Sequence, residues 1–413
     1  MKRLVCALAW LCAADALDAQ EWGRFCGPAG AGRAAEVELP LALDEQATRF
    51  RVDLLGGGHS SPVFAGELVF LTSLGESEGV RHLIALDALS GAPRWRFDDA
   101  FRGHGQHRLN SYASASPAAD EERVVVAWTD AEGLEVVALD LEGELLWRTA
   151  LGPFSAQHGS GVSPVLVAGR VIVANDMEGE VQSFLVALDA ATGEEVWRRE
   201  RETERASYAT PALLAGPDGE PRLVFASTAH GLTCLDAASG ELVWEHDPGL
   251  TQRCVGSPVI EAGVVFQAAG SGGGGKEMMA VRLPQEEGAA PTPAWSLERA
   301  LPYVPTPVAH DGLLYLLADG GILSCVRASD GGLVYRERLG GHYFASPVIL
   351  GERLYCLDSS GSLAILALGE EFERLGGREF GELSHATPAV AHGRLYVRTE
   401  RSLWSFGAPD AGE

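Results

Sequence analysis

Along most of the chain the apolar and polar positions repeat one phrase: Ser or Thr, then Pro, a short apolar strand, a turn often marked by Gly, and a β-branched strand. It reads "SSPVFAGELVFLTS" at its first occurrence, "VSPVLVAGRVIVAND" at the third and "ATPAVAHGRLYVRTE" at the last. The prolines are Pro62, Pro117, Pro164, Pro211, Pro258, Pro307, Pro347 and Pro388, spaced by 40 to 55 residues. A third run ending in "LDAxxG" and a fourth carrying an aromatic residue follow, most completely as "ALDAATGEEVW" and "LDAASGELVW". This period and grammar predict an all-β fold, an eight-bladed β-propeller of four-stranded antiparallel blades.

The fourth strands of the first five units carry Trp95, Trp147, Trp197, Trp244 and Trp295, with Tyr335 at the matching place in the sixth. One large ring per blade at fixed register predicts docking between neighbouring blades. The last unit stops after "SLWSF" with only three strands, and "RFRV" (Arg49 to Val52) parallels "RWRF" (Arg94 to Phe97). An N-terminal strand within residues 47–54 is therefore expected to complete the last blade and remove its open edge. The propeller is expected to span 47–407, followed by a tail over 408–413.

The stretch "GSGGGGKE", residues 270–277, has the spacing of a phosphate-binding loop but places Glu277 where Ser or Thr should hold magnesium. It lies between the second and third strands of its unit, and a phosphate cradle must open a helix. A flexible hairpin is expected.

Net charge of −25 and a pI near 4.8 argue against nucleic acid as a partner, since phosphate contacts need clustered Lys and Arg. Residues 1–19 read as a secretory signal peptide: Lys2 and Arg3, an apolar run from Leu4 to Ala14, then small residues at Ala16 and Ala19. The run is too short to span a bilayer, so no integral membrane segment is expected, and the protein is expected to be periplasmic or secreted. A lipid on Cys12 would want a small residue before it, where Leu11 stands. Five cysteines follow, Cys26, Cys234, Cys254, Cys325 and Cys356, an odd number in no CxxC or CxxCH arrangement. That removes c-type haem, zinc-ribbon and thioredoxin-like chemistry.

The eight Ser/Thr-Pro starts and the "LDAATGEEVW" repeats resemble the pyrroloquinoline-quinone-like (PQQ-like) propeller repeat family, which includes quinoprotein dehydrogenases and the outer-membrane assembly propeller BamB. The resemblance extends to a secreted bacterial branch with an N-terminal W-x-x-F-x-G-P-x-x-x-G signature, here "WGRFCGPAGAG", Trp22 to Gly32. In the dehydrogenases of this family, PQQ sits against an adjacent-cysteine disulfide and a calcium ion held by acidic and amide side chains. This chain has no adjacent cysteines and no local calcium loop; "GPDGEP" reads as a hairpin turn. No cofactor and no metal are assigned, and PQQ with calcium enters only through the resemblance. The fold hosts enzymes and scaffolds alike.

Segments leading into the Ser/Thr-Pro sites should run along one face beside the central channel. They carry His59, Tyr112, His158, Tyr208, Arg253, Tyr303, Tyr343 and His385, with His104, His107, Asn110 and His342 as further candidates. These side chains either satisfy backbone groups at blade junctions or line a channel-mouth site for a small polar ligand, a glycan or a protein partner. The expected function is a non-catalytic binding or assembly scaffold, with a PQQ-dependent dehydrogenase and a sugar-acting lyase or hydrolase as the other readings; no catalytic residue is picked out. A monomer is favoured. Residues 20–46 are expected to form a strap across one face, anchored by Trp22 and Phe25, or a loose tether.

Overall fold

The computed structural model describes residues 22–408 apart from 35–38, 76–78, 218, 248, 285 and 287. The expected signal peptide, Cys12 and all but the first residue of the expected tail lie outside the described residues. Eight antiparallel blades form the propeller. Blade 1 comprises Val63–Ala65, Leu68–Leu74, Val80–Asp87 and Pro93–Ala100; blades 2 to 7 span 118–152, 165–201, 212–246, 259–297, 308–338 and 348–379. Blade 8 takes Ala389–Ala391, Arg394–Arg398 and Ser402–Phe406 from the C-terminal end and Thr48–Asp53 from the N-terminal side. That closing strand pairs antiparallel, Val52 opposite Leu403, as the match of "RFRV" to "RWRF" implies.

Each repeat proline stands immediately before the first strand of its blade, where a missing N–H costs no ladder bond. The Ser or Thr before it has a second duty. The backbone N–H of Ser61 donates to Ser116 Oγ at 2.9 Å, that of Ser116 to Ser163 Oγ at 3.0 Å, and that of Thr210 to Ser257 Oγ at 3.1 Å. The chain of bonds runs on from Ser257 to Thr306, Thr306 to Ser346 and Ser346 to Thr387, then returns from Thr387 to Ser61. Buried hydroxyls thus tie seven of the eight blade junctions around the channel; the junction of blades 3 and 4, where Ser163 meets Thr210, shows no such bond among the described residues.

Farther out, aromatic residues of the fourth strands lie against the next blade. The indole N–H groups of Trp95, Trp147, Trp197 and Trp295 donate to carbonyls of the following blade, those of Leu141, Ala190, Ala237 and Ala328. Trp244 is buried in a cluster that includes Val281 and Leu283 of blade 5. The rings lie on turn glycines: a Cβ on Gly240, at φ +72, would stand 2.5 Å from the Trp197 ring. Phe50 of the closing strand occupies the same place against Gly91 of blade 1. Apolar clusters accordingly bridge adjacent blades, as Val125 and Val136 do with Val171 and Val186.

The glycine-rich stretch is a hairpin. Val264–Ser271 and Gly274–Arg282 pair antiparallel through Gly272 and Gly273, both at positive φ, as a tight primed turn requires.

The segment from Trp22 to Gly32 crosses the central channel. Its carbonyls accept N–H bonds from the inner strands of three blades: Trp22 from Phe64, Gly23 from Ala119 and Gly32 from Ile349. Arg24 donates to the Pro211 carbonyl of blade 4 at 2.6 Å. Arg33–Ala34 then adds a parallel strand to Val348–Leu350, an element the repeat pattern does not predict. Inner-strand amides that would otherwise face an open channel are satisfied in this way. Glycine is required in this segment at Gly27, which lies on the Trp22 ring at φ +64, and at Gly32, which abuts Val308 at φ +67.

Candidate functional site

The loops entering the inner strands converge on a cavity of about 510 Å³ at one mouth of the channel. Its base is the hydroxyl belt, since Ser61, Ser116, Ser163, Thr210, Thr306, Ser346 and Thr387 all line it. The crossing segment bonds one residue (Pro211) or three residues (Phe64, Ala119, Ile349) beyond the belt along the inner strands, and its Phe25 joins the lining. The channel mouth is a cup rather than a through-pore.

Of the side chains singled out from the sequence, His59, Asn110, His158, Tyr208, Arg253, Tyr303 and His385 line this cup, as does His107. Four others do not. His104 binds Thr129 through Nε2 at 2.9 Å, and Tyr112 donates to the His104 carbonyl, so both are spent within the loop entering blade 2. His342 is exposed and its carbonyl accepts from Ser359. Tyr343 is buried in the apolar cluster between blades 6 and 7. Phe25, Leu109, Phe344 and Asp319 also line the cup without a signal in the repeat.

The wall has two characters. Rings dominate one side: Phe344 lies 4.6 Å from His385, and His385 lies 4.4 Å from His59. The other side is polar. Arg253 pairs with Glu178 and reaches the Tyr303 hydroxyl at 3.4 Å. Behind this wall, closed to solvent, Arg253 Nε and His158 Nδ1 have no partner among the described residues. Tyr208 approaches the His158 backbone without a well-formed hydrogen bond, and burial pushes its phenol upward.

Three of these imidazoles, His59, His385 and His158, are held toward the neutral form. Burial, then the neighbouring His385 and Arg398, brings His59 down to about 3. Burial also lowers His385, and burial with Arg253 and His107 lowers His158. Backbone groups of the lining loops are already used: between blades, His59 N–H donates to Ala113 and Tyr208 N–H to Cys254, and within blade 5 Arg253 exchanges bonds with Gly270. Recognition at this mouth falls to side chains.

Calcium needs six or more oxygen ligands, carboxylates among them. Asp319, the one carboxylate in the lining among the described residues, accepts the amides of Tyr303 at 2.7 Å and Val304 at 3.2 Å. Among the described residues no three His, Cys, Asp or Glu side chains come together as a metal-ligand set. The residues of the cup do not fit a calcium-supported quinone. The five cysteines among the described residues are free and buried, and Cys234, Cys325 and Cys356 sit in strands as small core residues.

A wider groove of about 850 Å³ continues from the cup over the seam between blades 8 and 1, sharing His59, Leu109, Asn110 and His385 with it. Among the described residues no helix is long and apolar enough to cross a membrane.

A sequence profile described as outer membrane protein assembly factor BamB matches residues 40–181, 182–308 and 292–371. The quinohemoprotein alcohol dehydrogenase ADH IIB of Pseudomonas putida is 28% identical over 179 residues, 42% of this chain and 23% of that protein. The chain therefore spans under a quarter of the length of that relative. Among solved structures, BamB from Moraxella catarrhalis superposes with a TM-score of 0.61 at 16% identity, covering 89% of this chain and 98% of that one. A quinohemoprotein alcohol dehydrogenase from Comamonas testosteroni superposes with a TM-score of 0.67 at 13% identity, covering 99% and 85%. At such identities the likeness is one of fold.

Proposed function

Starting from the fact that the chain belongs to the family described as outer membrane protein assembly factor BamB, we propose that it is an exported, non-catalytic scaffold that binds its ligand or partner in the channel-mouth cup. The observation that carries this reading is the closed cup itself. A segment of the chain crosses the channel and contributes Phe25 to the lining, leaving about 510 Å³ lined by rings on one side and polar groups on the other. Sites of this size and mixed lining suit a small ligand or the tip of a larger partner. The family's assembly role supports a protein partner, whose protruding side chain or chain end would enter the cup.

The quinone-dependent reading draws support from the dehydrogenase relatives and is opposed by the carboxylate-poor lining. A glycosidase-like reading would need two carboxyl groups facing one another, and among the described residues Asp319 is the one carboxylate in the lining.

Gly161 provides the test. It lines the cup, and a Cβ there would meet only Tyr208, at 3.9 Å. Gly161→Phe therefore puts a ring into the cup with the backbone undisturbed. Small molecules, peptides and oligosaccharides would be screened by thermal shift against the wild type, and every true ligand should lose its effect on Gly161→Phe. Ligands that stabilise both proteins equally would place binding elsewhere and refute the cup as the site.

A further inference from the structure

The groove over the seam of blades 8 and 1 is low in the middle because the chain enters blade 1 through Gly56, Gly57 and Gly58, which line it without side chains. Residues 101–117, the longest entry to any blade, and residues 380–388, entering blade 8, rise on either side. Each brings one leucine to the lining. Leu109 is 40% exposed and Leu383 is 57% exposed, the most of any large apolar side chain among the described residues. Single exposed leucines are ordinary, whereas two on one concave surface mark a place where an apolar group docks.

The charges of the groove are not used up. Arg51 pairs with Glu382 at 3.0 Å and with Asp53 at 3.2 Å, and Glu382 also accepts from Thr399 and Ser402. Arg108 and Arg401 line the groove exposed and without an ion pair among the described residues, against one such carboxylate, Glu400. On a chain of net charge −25 this surface is therefore complementary to acidic side chains, which a guanidinium binds as a fork. No Phe, Tyr or Trp lines it among the described residues, so it offers a sugar ring little to lie on. Groove and cup, about 850 Å³ and 510 Å³, are continuous and together larger than the roughly 300–1,000 Å³ of a small-molecule site.

We propose that the groove binds an extended peptide segment of a partner protein. An apolar side chain lies between Leu109 and Leu383, acidic neighbours meet Arg108 and Arg401, and the leading residue enters the cup. This deepens the reading of the cup as a partner site and rests on it.

The test selects a random-peptide phage library on the whole chain and measures the enriched peptides, synthesised, by fluorescence polarisation. They should carry Leu, Ile or Met beside Asp or Glu. Leu383→Asp should weaken them roughly tenfold or more, the scale of one buried leucine. Arg108→Gln combined with Arg401→Gln should weaken them several-fold and flatten their salt dependence. A Cβ on Gly57 would make only ordinary contacts, the nearest with Glu400 Cγ at 3.5 Å, and Gly57 does not line the cup. Gly57→Phe should therefore close the groove as Gly161→Phe closes the cup, and each should abolish binding. If Gly57→Phe fails to fold, the exposed Leu383 and the two arginines still decide. Loss on Gly161→Phe alone overturns the groove and leaves the cup as the site. Loss on the groove variants alone keeps the groove and overturns the cup. Peptides indifferent to every change overturn both. If the library enriches nothing, or if oligosaccharides rather than peptides stabilise the wild type and not Gly57→Phe, the groove is not a peptide site, and the thermal-shift screen alone judges the cup.

Discussion

The backbone N–H of Thr387 donates to Ser61 Oγ at 3.1 Å across 326 residues of sequence, and this bond closes the hydroxyl belt where blade 8 meets blade 1. Both groups are buried. Ser61→Ala leaves a buried amide unpaired and should cost about 1–3 kcal/mol, whereas Ser61→Thr keeps the acceptor and should cost less. Urea denaturation of the two variants checks this, and an alanine variant as stable as the wild type would remove the belt from the account of ring closure.

Trp197 and Gly240 form the matching contact farther from the axis. The ring occupies the space a side chain at 240 would need, and its N–H reaches the Ala237 carbonyl at 3.2 Å. Trp197→Ala should cost about 3–5 kcal/mol. Gly240→Ala should also destabilise, because the new methyl meets the ring and the backbone is left-handed there. Since both changes act on one contact, the double variant should lose less than the sum of the two; strict additivity would show that they do not share it.

The repeat made the fold legible because each of its letters has a local reason. Proline marks the start of an inner strand, Trp marks the docking position, and Gly marks the turn that receives the ring. The missing fourth strand of the last blade could likewise be inferred from "RFRV". The reason for Ser or Thr before each proline was not legible, since every belt bond joins residues 40 or more positions apart. The cup was legible only in part. Tyr303 and Tyr343 stand at equivalent places before their prolines, yet Tyr303 lines the cup and Tyr343 fills the core between blades 6 and 7. Which way a ring turns is decided by the neighbouring blade. Phe25 enters the cup from a segment outside the repeat, so no periodicity could announce it.

Calcium should have no specific place in the cup. Titrating the metal-free protein with pyrroloquinoline quinone, with and without calcium, should give no calcium-dependent change in quinone absorbance or melting temperature, because Asp319 is already committed to two backbone amides. Saturable, calcium-dependent stabilisation would reinstate the dehydrogenase reading.

Acid should destabilise the protein well before its carboxylates titrate. His59 is held down to about 3, first by burial and then by His385 and Arg398, with the Ser114 hydroxyl 3.4 Å away. An unfolded histidine takes up its proton near pH 6.5, so below that pH the unfolded chain binds a proton that the folded chain refuses. The contribution of neutral His59 is full above about pH 6.5 and is lost progressively as pH falls toward 3, at up to about 1.4 kcal/mol per unit for one fully suppressed site. His385 and His158 are displaced in the same direction and steepen the loss. Carboxylates such as Asp87, held down by Arg94 and Ser90, also favour the folded state at higher pH, but their effect begins only near the ordinary carboxylate range. The interval from about pH 6.5 to 5 therefore reports the imidazoles. His59→Gln should be flatter than the wild type across that interval when stability is measured by urea denaturation at each pH. If the two slopes coincide, His59 is not the buried neutral group that its place beside Arg398 implies, and the loss must come from His385 and His158.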